Sequence, residues 1–206
     1  MSIFDTDEFV AGCLEASRAA QPVSALRLLV ERAIAVPEAI ERRFPVPVDP
    51  DDDGILHQSA DLLITCAIFP RGFATGIHDH SVPAVLGLWA GVEDNWLYRR
   101  TPTGIELSAT QRVGCGEVIV LDADAIHEVR VSASGWSGGL HVYLGDILAA
   151  DRSEWADVAS TATRFDPDDQ ERRWMAAAES TGLVQRPQAP RHDGTSALAP
   201  STPSSG

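Results

Sequence analysis

The sequence lacks what several large classes of protein require. Its 206 residues carry 16 basic side chains against 30 acidic ones, a formal net charge of −14. Nucleic acid and anionic membranes are bound by clustered Lys and Arg, so this balance argues against both as partners. No apolar stretch approaches the length of a membrane span, and the opening Met-Ser-Ile-Phe-Asp-Thr-Asp-Glu is acidic where a secretory signal is basic. A soluble, cytoplasmic protein is the expectation. Only three cysteines are present, Cys13, Cys66 and Cys115, with no Cys-x-x-Cys pair; reduced thiols fit this better than a disulfide framework or a zinc finger.

What is present reads as one domain with terminal additions. Residues 1–44 are expected to form helices packed on the main body. Asp5 is placed to cap a helix that carries Phe9, Val10, Cys13 and Leu14, while Pro22 opens a second in which Leu26, Leu28, Leu29, Ala33 and Ile34 share a face. Pro37 restarts a third, short helix toward Arg43. The acidic, proline-rich run from Pro45 to Gly54 lacks the spacing and closing Glu of a calcium loop and reads as a connector.

Within 45–150 the texture changes to short apolar or alternating runs broken by Gly, Pro and Asn, the spacing of an antiparallel sandwich or barrel. Strands are expected at 61–69, 73–80, 84–90, 93–100, 104–109, 117–121, 126–132 and 138–145. The fold class is mainly β, a double-sheeted barrel whose mouth can hold a ligand. Residues 151–184 read as a C-terminal helical segment, with helices at 151–155 and 168–179 and Gly182 as a stop. Residues 185–206, rich in Pro, Ser, Ala and Gly, read as a disordered tail.

The most informative stretch runs from Gly72 to His80, Gly-Phe-Ala-Thr-Gly-Ile-His-Asp-His. On a strand, His78 and His80 project from one face, which is a metal-binding geometry, and Asp79 between them points the other way. A third histidine, His127, lies on a strand that can return beside this pair. His57, in the connector, and His192, in the tail, are not expected to be ligands. No carboxylate joins the three imidazoles, so a divalent ion there keeps its full charge, which favours anionic ligands.

Gly72-x5-His78-x-His80 resembles the first cupin motif and Gly116-x10-His127 the second, with Asp122 and Asp124 in place of the usual Pro and Gly. Cupins often supply a Glu four or five residues after the second histidine, where this chain has Ala84 and Val85. Over residues 22–156 the chain most resembles the cysteine dioxygenase and 3-mercaptopropionate dioxygenase family. The likeness rests on His78 to His80, Gly91 to Arg100, Ala125 to His127, Leu140 to Asp146 and Arg152 to Trp155.

That resemblance implies a cupin double-stranded β-helix barrel holding Fe(2+) on His78, His80 and His127. It implies oxidation of a small thiol carboxylate by dioxygen to a sulfinate. His141 and Tyr143 then match a Ser-x-His-x-Tyr relay as the catalytic pair, with Gly139 at the serine position, and Arg152 matches an arginine that holds the substrate carboxylate. Arg99 and Arg100 face opposite sides of one strand and are secondary substrate-binding candidates. Pro83 reshapes one pocket wall, and Val85 replaces a cysteine that some relatives cross-link to the tyrosine. Another metal-dependent cupin chemistry, such as carbon dioxygenation or isomerisation, and a non-catalytic ligand-binding cupin are the alternatives. Histidine sites accept several divalent metals, so iron follows from the resemblance alone, and the sequence leaves the oligomeric state open.

Overall fold

The computed structural model describes residues 3–49 and 51–184. The tail reading for 185–206, with His192 in it, lies outside the described residues. Helix α1, Thr6–Ala16, begins where Asp5 accepts a hydrogen bond from the Glu8 amide at 3.0 Å, which satisfies one otherwise unpaired N–H of the first turn. Helices α2, Pro22–Ile34, and α3, Pro37–Arg43, each start at a proline whose missing N–H costs nothing there. In α2 the buried stripe is Leu26, Val30 and Ile34, four residues apart; Leu28, expected on that face, is instead exposed. Burying each of these three side chains contributes about 1.5–3 kcal/mol, enough to hold the helix on the sheet beneath it.

Two antiparallel sheets form the body. The first contains β1 (Ile55–Gln58), β2 (Leu63–Phe69), β4 (Ala84–Ala90), β7 (Val118–Leu121) and β9 (Ser137–Tyr143) in the order β1-β2-β9-β4-β7. The second contains β3 (Ile77–Asp79), β5 (Val92–Thr101), β6 (Gly104–Gly114), β8 (Ile126–Val131), β10 (Ser153–Trp155) and β11 (Thr163–Arg164) in the order β11-β10-β3-β8-β5-β6. The protein is thus mainly β, two facing antiparallel sheets with N-terminal helices and a C-terminal helix. The outer face of the first sheet, with Ile64, Cys66, Val85, Trp89, Leu140 and Val142, packs against the helices. Its inner face meets the second sheet through Ala84, Leu86, Leu88, Ile119 and Leu121 with Val113. Among the described residues no helix is long and apolar enough to cross a membrane.

The helical reading of 151–155 is wrong: Ser153–Trp155 is a strand. Glu154 pairs with His78 and Trp155 with Ile77 along the free edge of β3, and Trp155 buries itself among Ile77, Tyr98, Ile105 and Ile126. Tertiary pairing here overrides a polar, helix-like local sequence. The expected strand at 73–80 is ordered as β only over Ile77–Asp79, because Gly72 and Gly76 adopt positive φ and turn the chain before it. The last helix, α4, spans Pro167–Thr181, capped by Asp166 at its start and by Gly182 in the left-handed region at its end.

Candidate metal centre

Strand register brings the three histidines together. His78 on β3 pairs directly with His127 on β8, and residues opposite each other in an antiparallel pair share a face at short range. His80 follows His78 by two residues and so turns to the same side. All three rings are buried. Their Nε2 atoms converge, 3.2 Å apart for His78 and His80 and 3.0 Å for His127 and His80, and one ligand atom from each lies within 4.8 Å of the others.

The opposite edges of two rings fix the tautomer. His78 Nδ1 lies 3.0 Å from the Gly76 carbonyl, and His127 Nδ1 lies 3.2 Å from Oδ1 of Asn95. Both partners are acceptors, so each Nδ1 carries the proton and donates, which leaves each Nε2 lone pair pointing at the other rings. Gly76 has φ of 81°, a left-handed conformation in which the chain turns back to present this carbonyl. These two lone pairs face His80 Nε2 at 3.2 and 3.0 Å, where either a proton on His80 or a cation between the rings satisfies them. Metal–imidazole bonds of about 2.0–2.1 Å at a right angle put neighbouring nitrogens about 3 Å apart, which is the observed spacing. The donor set therefore fits a divalent transition-metal ion held by His78, His80 and His127.

Electrostatics agrees. Burial, followed by the charge of Arg152, draws the His78 imidazole down to about 4. Burial also holds His80 and His127 well below the usual histidine range, with neighbouring imidazoles and Arg152 adding to it. Neutral imidazoles are the form that binds metal.

Around this cluster sit the other side chains singled out by the sequence. Tyr143 packs edge-on against His80, ring centroids 5.3 Å apart, and its hydroxyl lies 3.3 Å from His141 Nδ1. Burial pushes the Tyr143 phenol up to about 12 and the His141 imidazole down to about 4, so both are neutral near pH 7. An ideal Cβ at Gly139 would lie 2.7 Å from His141 Nε2; the glycine leaves room for this ring. Arg152 donates from Nε to the Asp79 carbonyl at 3.0 Å, stacks 3.8 Å over the Phe165 ring, and forms no salt bridge among the described residues. Phe165 in turn lies 5.7 Å from the His78 ring.

Asp79 points to the opposite face, where its carboxylate accepts from Arg100 at 2.7 Å and from the Ser153 amide at 2.8 Å. Arg99 pairs with Glu106 near the hairpin turn, and Arg100, besides Asp79, stacks on Trp155. Both secondary substrate candidates are thus engaged away from the histidines. His57 lies on β1, apart from the cluster. Burial pushes the Cys13 and Cys66 thiols up to about 12, which leaves both unreactive.

Three residues of this region were not singled out by sequence. Asn95 and Glu93 are buried and two apart on β5, so both face inward, and a polar pair at inward positions was the available signal. Phe165 sits between β11 and α4 with no local signature.

No family model matches this chain, and no curated protein matches it. Among solved structures it resembles the DMSP lyase DddQ from Ruegeria pomeroyi DSS-3 at 19% identity, over 46% of this chain and 43% of that one, with a TM-score of 0.37. It resembles an oxalate decarboxylase from Bacillus subtilis at 14% identity, over 48% of this chain and 25% of that one, with a TM-score of 0.39. A protein from Bacillus halodurans matches at 17% identity over 60% of this chain and 81% of that one, with a TM-score of 0.41. The chain spans less than half the length of the lyase and a quarter of the decarboxylase.

Proposed function

We propose that the protein is a metal-dependent enzyme of the thiol dioxygenase type, acting on a small thiol carboxylate of the 3-mercaptopropionate or cysteine kind. One observation carries this reading. Three neutral imidazoles, a neutral phenol and a guanidinium that forms no salt bridge among the described residues gather at one place inside the barrel. When bound to His78, His80 and His127, a ferrous ion would supply the centre at which a thiol and dioxygen react to give a sulfinate.

The chain's own residues do the rest. Arg152 presents a planar, bidentate fork suited to a substrate carboxylate, which fixes the thiol end toward the histidines. Its stacking on Phe165 and its bond to the Asp79 carbonyl hold that fork in place. Tyr143 stays protonated and offers its hydroxyl hydrogen beside His80, while His141 orients that hydroxyl from behind. Ala84, Leu86, Leu88 and Leu121 line the barrel on the side away from solvent and exclude water.

A second reading, another metal-dependent cupin chemistry, is favoured by Gly139, which leaves His141 without the serine of the thiol dioxygenase relay. Product analysis separates the two. Iron-loaded protein incubated with 3-mercaptopropionate under labelled dioxygen should give a sulfinate bearing both labelled oxygens; absence of sulfinate from iron-loaded protein with every thiol would favour the second reading.

A further inference from the structure

A cavity of about 970 Å³ lies between the acidic connector, β2 and α4. Its inner end is formed by Phe69, Arg152 and Phe165, the side chains that also border the histidine region. Phe69 lies 6.0 Å from the His141 ring and Phe165 5.7 Å from the His78 ring. The cavity and the candidate metal centre therefore share one wall, and Arg152 stands in it.

The size of the cavity is the first clue. Pockets of about 300–1,000 Å³ enclose ligands of drug-like size, whereas a three-carbon thiol acid has only a handful of heavy atoms. The lining is the second clue: Val48, Ile68, Leu148, Trp174 and Met175 give an apolar middle, and the Trp174 indole N–H is already bonded to the Ile68 carbonyl at 2.8 Å, so it makes no polar demand on a ligand. Charge is the third. The inner cation, Arg152, has no salt-bridge partner among the described residues, while the outer rim carries one cation, Arg43, against Asp49, Asp51, Asp52, Asp53 and Glu171, and so is net negative. A carboxylate is favoured at the inner end and a second anion is repelled at the outer one.

We propose that this cavity binds the body of the substrate: an elongated monocarboxylate whose carboxylate pairs with Arg152 and whose apolar chain runs outward over Ile68, Trp174 and Met175. Combined with the reading of the histidine centre as thiol-oxidising, on which only the identity of the reacting group rests, the substrate class is a β-thiol acid bearing an apolar substituent, such as an N-acylated cysteine. The short thiol arm points inward from Arg152 and the acyl chain occupies the cavity.

Calorimetric titration of metal-loaded protein with octanoate, octanedioate and octylamine tests the binding claim without thiol or dioxygen. Octanoate should bind at least tenfold more tightly than either of the others. Met175→Trp, which fills the apolar middle, and Arg152→Gln should each weaken octanoate at least tenfold with metal content unchanged. Glu171→Lys, which reverses a charge at the rim, should bring octanedioate to within a few-fold of octanoate. Failure of octanoate to bind, or binding indifferent to both Met175→Trp and Arg152→Gln, would overturn the proposal. In oxygen-uptake assays N-octanoylcysteine should exceed cysteine at least tenfold in kcat/KM; equal values would refute the substrate class while leaving thiol oxidation standing. Octanoate binding with no oxidation of any thiol would instead refute the thiol-oxidising reading and keep the cavity.

Discussion

Asn95 Oδ1 lies 3.2 Å from His127 Nδ1, and through this contact a strand that supplies none of the three histidines sets the tautomer of one of them. The Asn95 Nδ2 is buried without a hydrogen-bond partner, so the amide sits there for its oxygen. Asn95→Ala leaves the His127 N–H unpaired in the barrel interior, which costs about 1–3 kcal/mol and frees the ring to rotate. We expect metal affinity to fall by about 10–100-fold, read by competition with a chelating dye; unchanged affinity would remove Asn95 from the centre.

Tyr143→Phe deletes the hydroxyl of a ring that packs edge-on against His80. Loss of a single preorganised hydrogen-bond donor costs about 10²-fold or more in turnover, and the ligand histidines keep their supports. Turnover should therefore fall by about that factor with iron content retained, measured side by side on the same preparation. Full activity in the variant would take the phenol out of the mechanism.

Gly139→Ser restores in sequence the serine of the thiol dioxygenase relay, but the structure denies it space. The new Cβ would lie 2.7 Å from His141 Nε2 and 3.2 Å from a Leu88 methyl. Overpacking of this kind costs about 1–3 kcal/mol, and relief comes from displacing the His141 ring that contacts the Tyr143 hydroxyl. The variant should melt at lower temperature and turn over more slowly than the parent. A gain in activity would mean that His141 has a second resting place.

Glu93 gives a pH dependence with a definite sign. Burial raises its carboxyl from its ordinary value of 4.5 to about 7, against the hydrogen bond that Ser137 donates at 2.6 Å. The folded state therefore holds a proton that the unfolded state releases between those two values. Stability contributed by this group is present below the unfolded value and lost as pH rises toward 7, a loss of about 3 kcal/mol at most. Glu93→Gln mimics the protonated form. Denaturant unfolding should show the variant gaining on the parent between about pH 5 and about pH 8; a constant difference across that range would contradict the buried, proton-holding carboxyl.

Much of this was legible in the chain. Asp5, Pro22, Pro37 and Gly182 punctuate helices because caps and missing N–H groups act locally. His78 and His80 are read from strand spacing alone. What local sequence does not carry is pairing at a distance. Residues 153–155 become a strand because β3 has a free edge, and Phe165 reaches the His78 ring only once β11 has paired with β10. Leu28 and Val30 show the limit within a helix: composition marks both as apolar, and only the position of the underlying sheet decides that Val30 is buried and Leu28 is not.

The most direct test of the central claim is oxygen uptake by protein loaded anaerobically with ferrous iron, comparing 3-mercaptopropionate, cysteine, cysteamine and no thiol, with His127→Ala as the metal-site control. The account predicts uptake that requires thiol and iron together, favours the thiols bearing a carboxylate, and disappears in His127→Ala. Iron-loaded protein that consumes no oxygen with any of these thiols, or with N-octanoylcysteine, would contradict it.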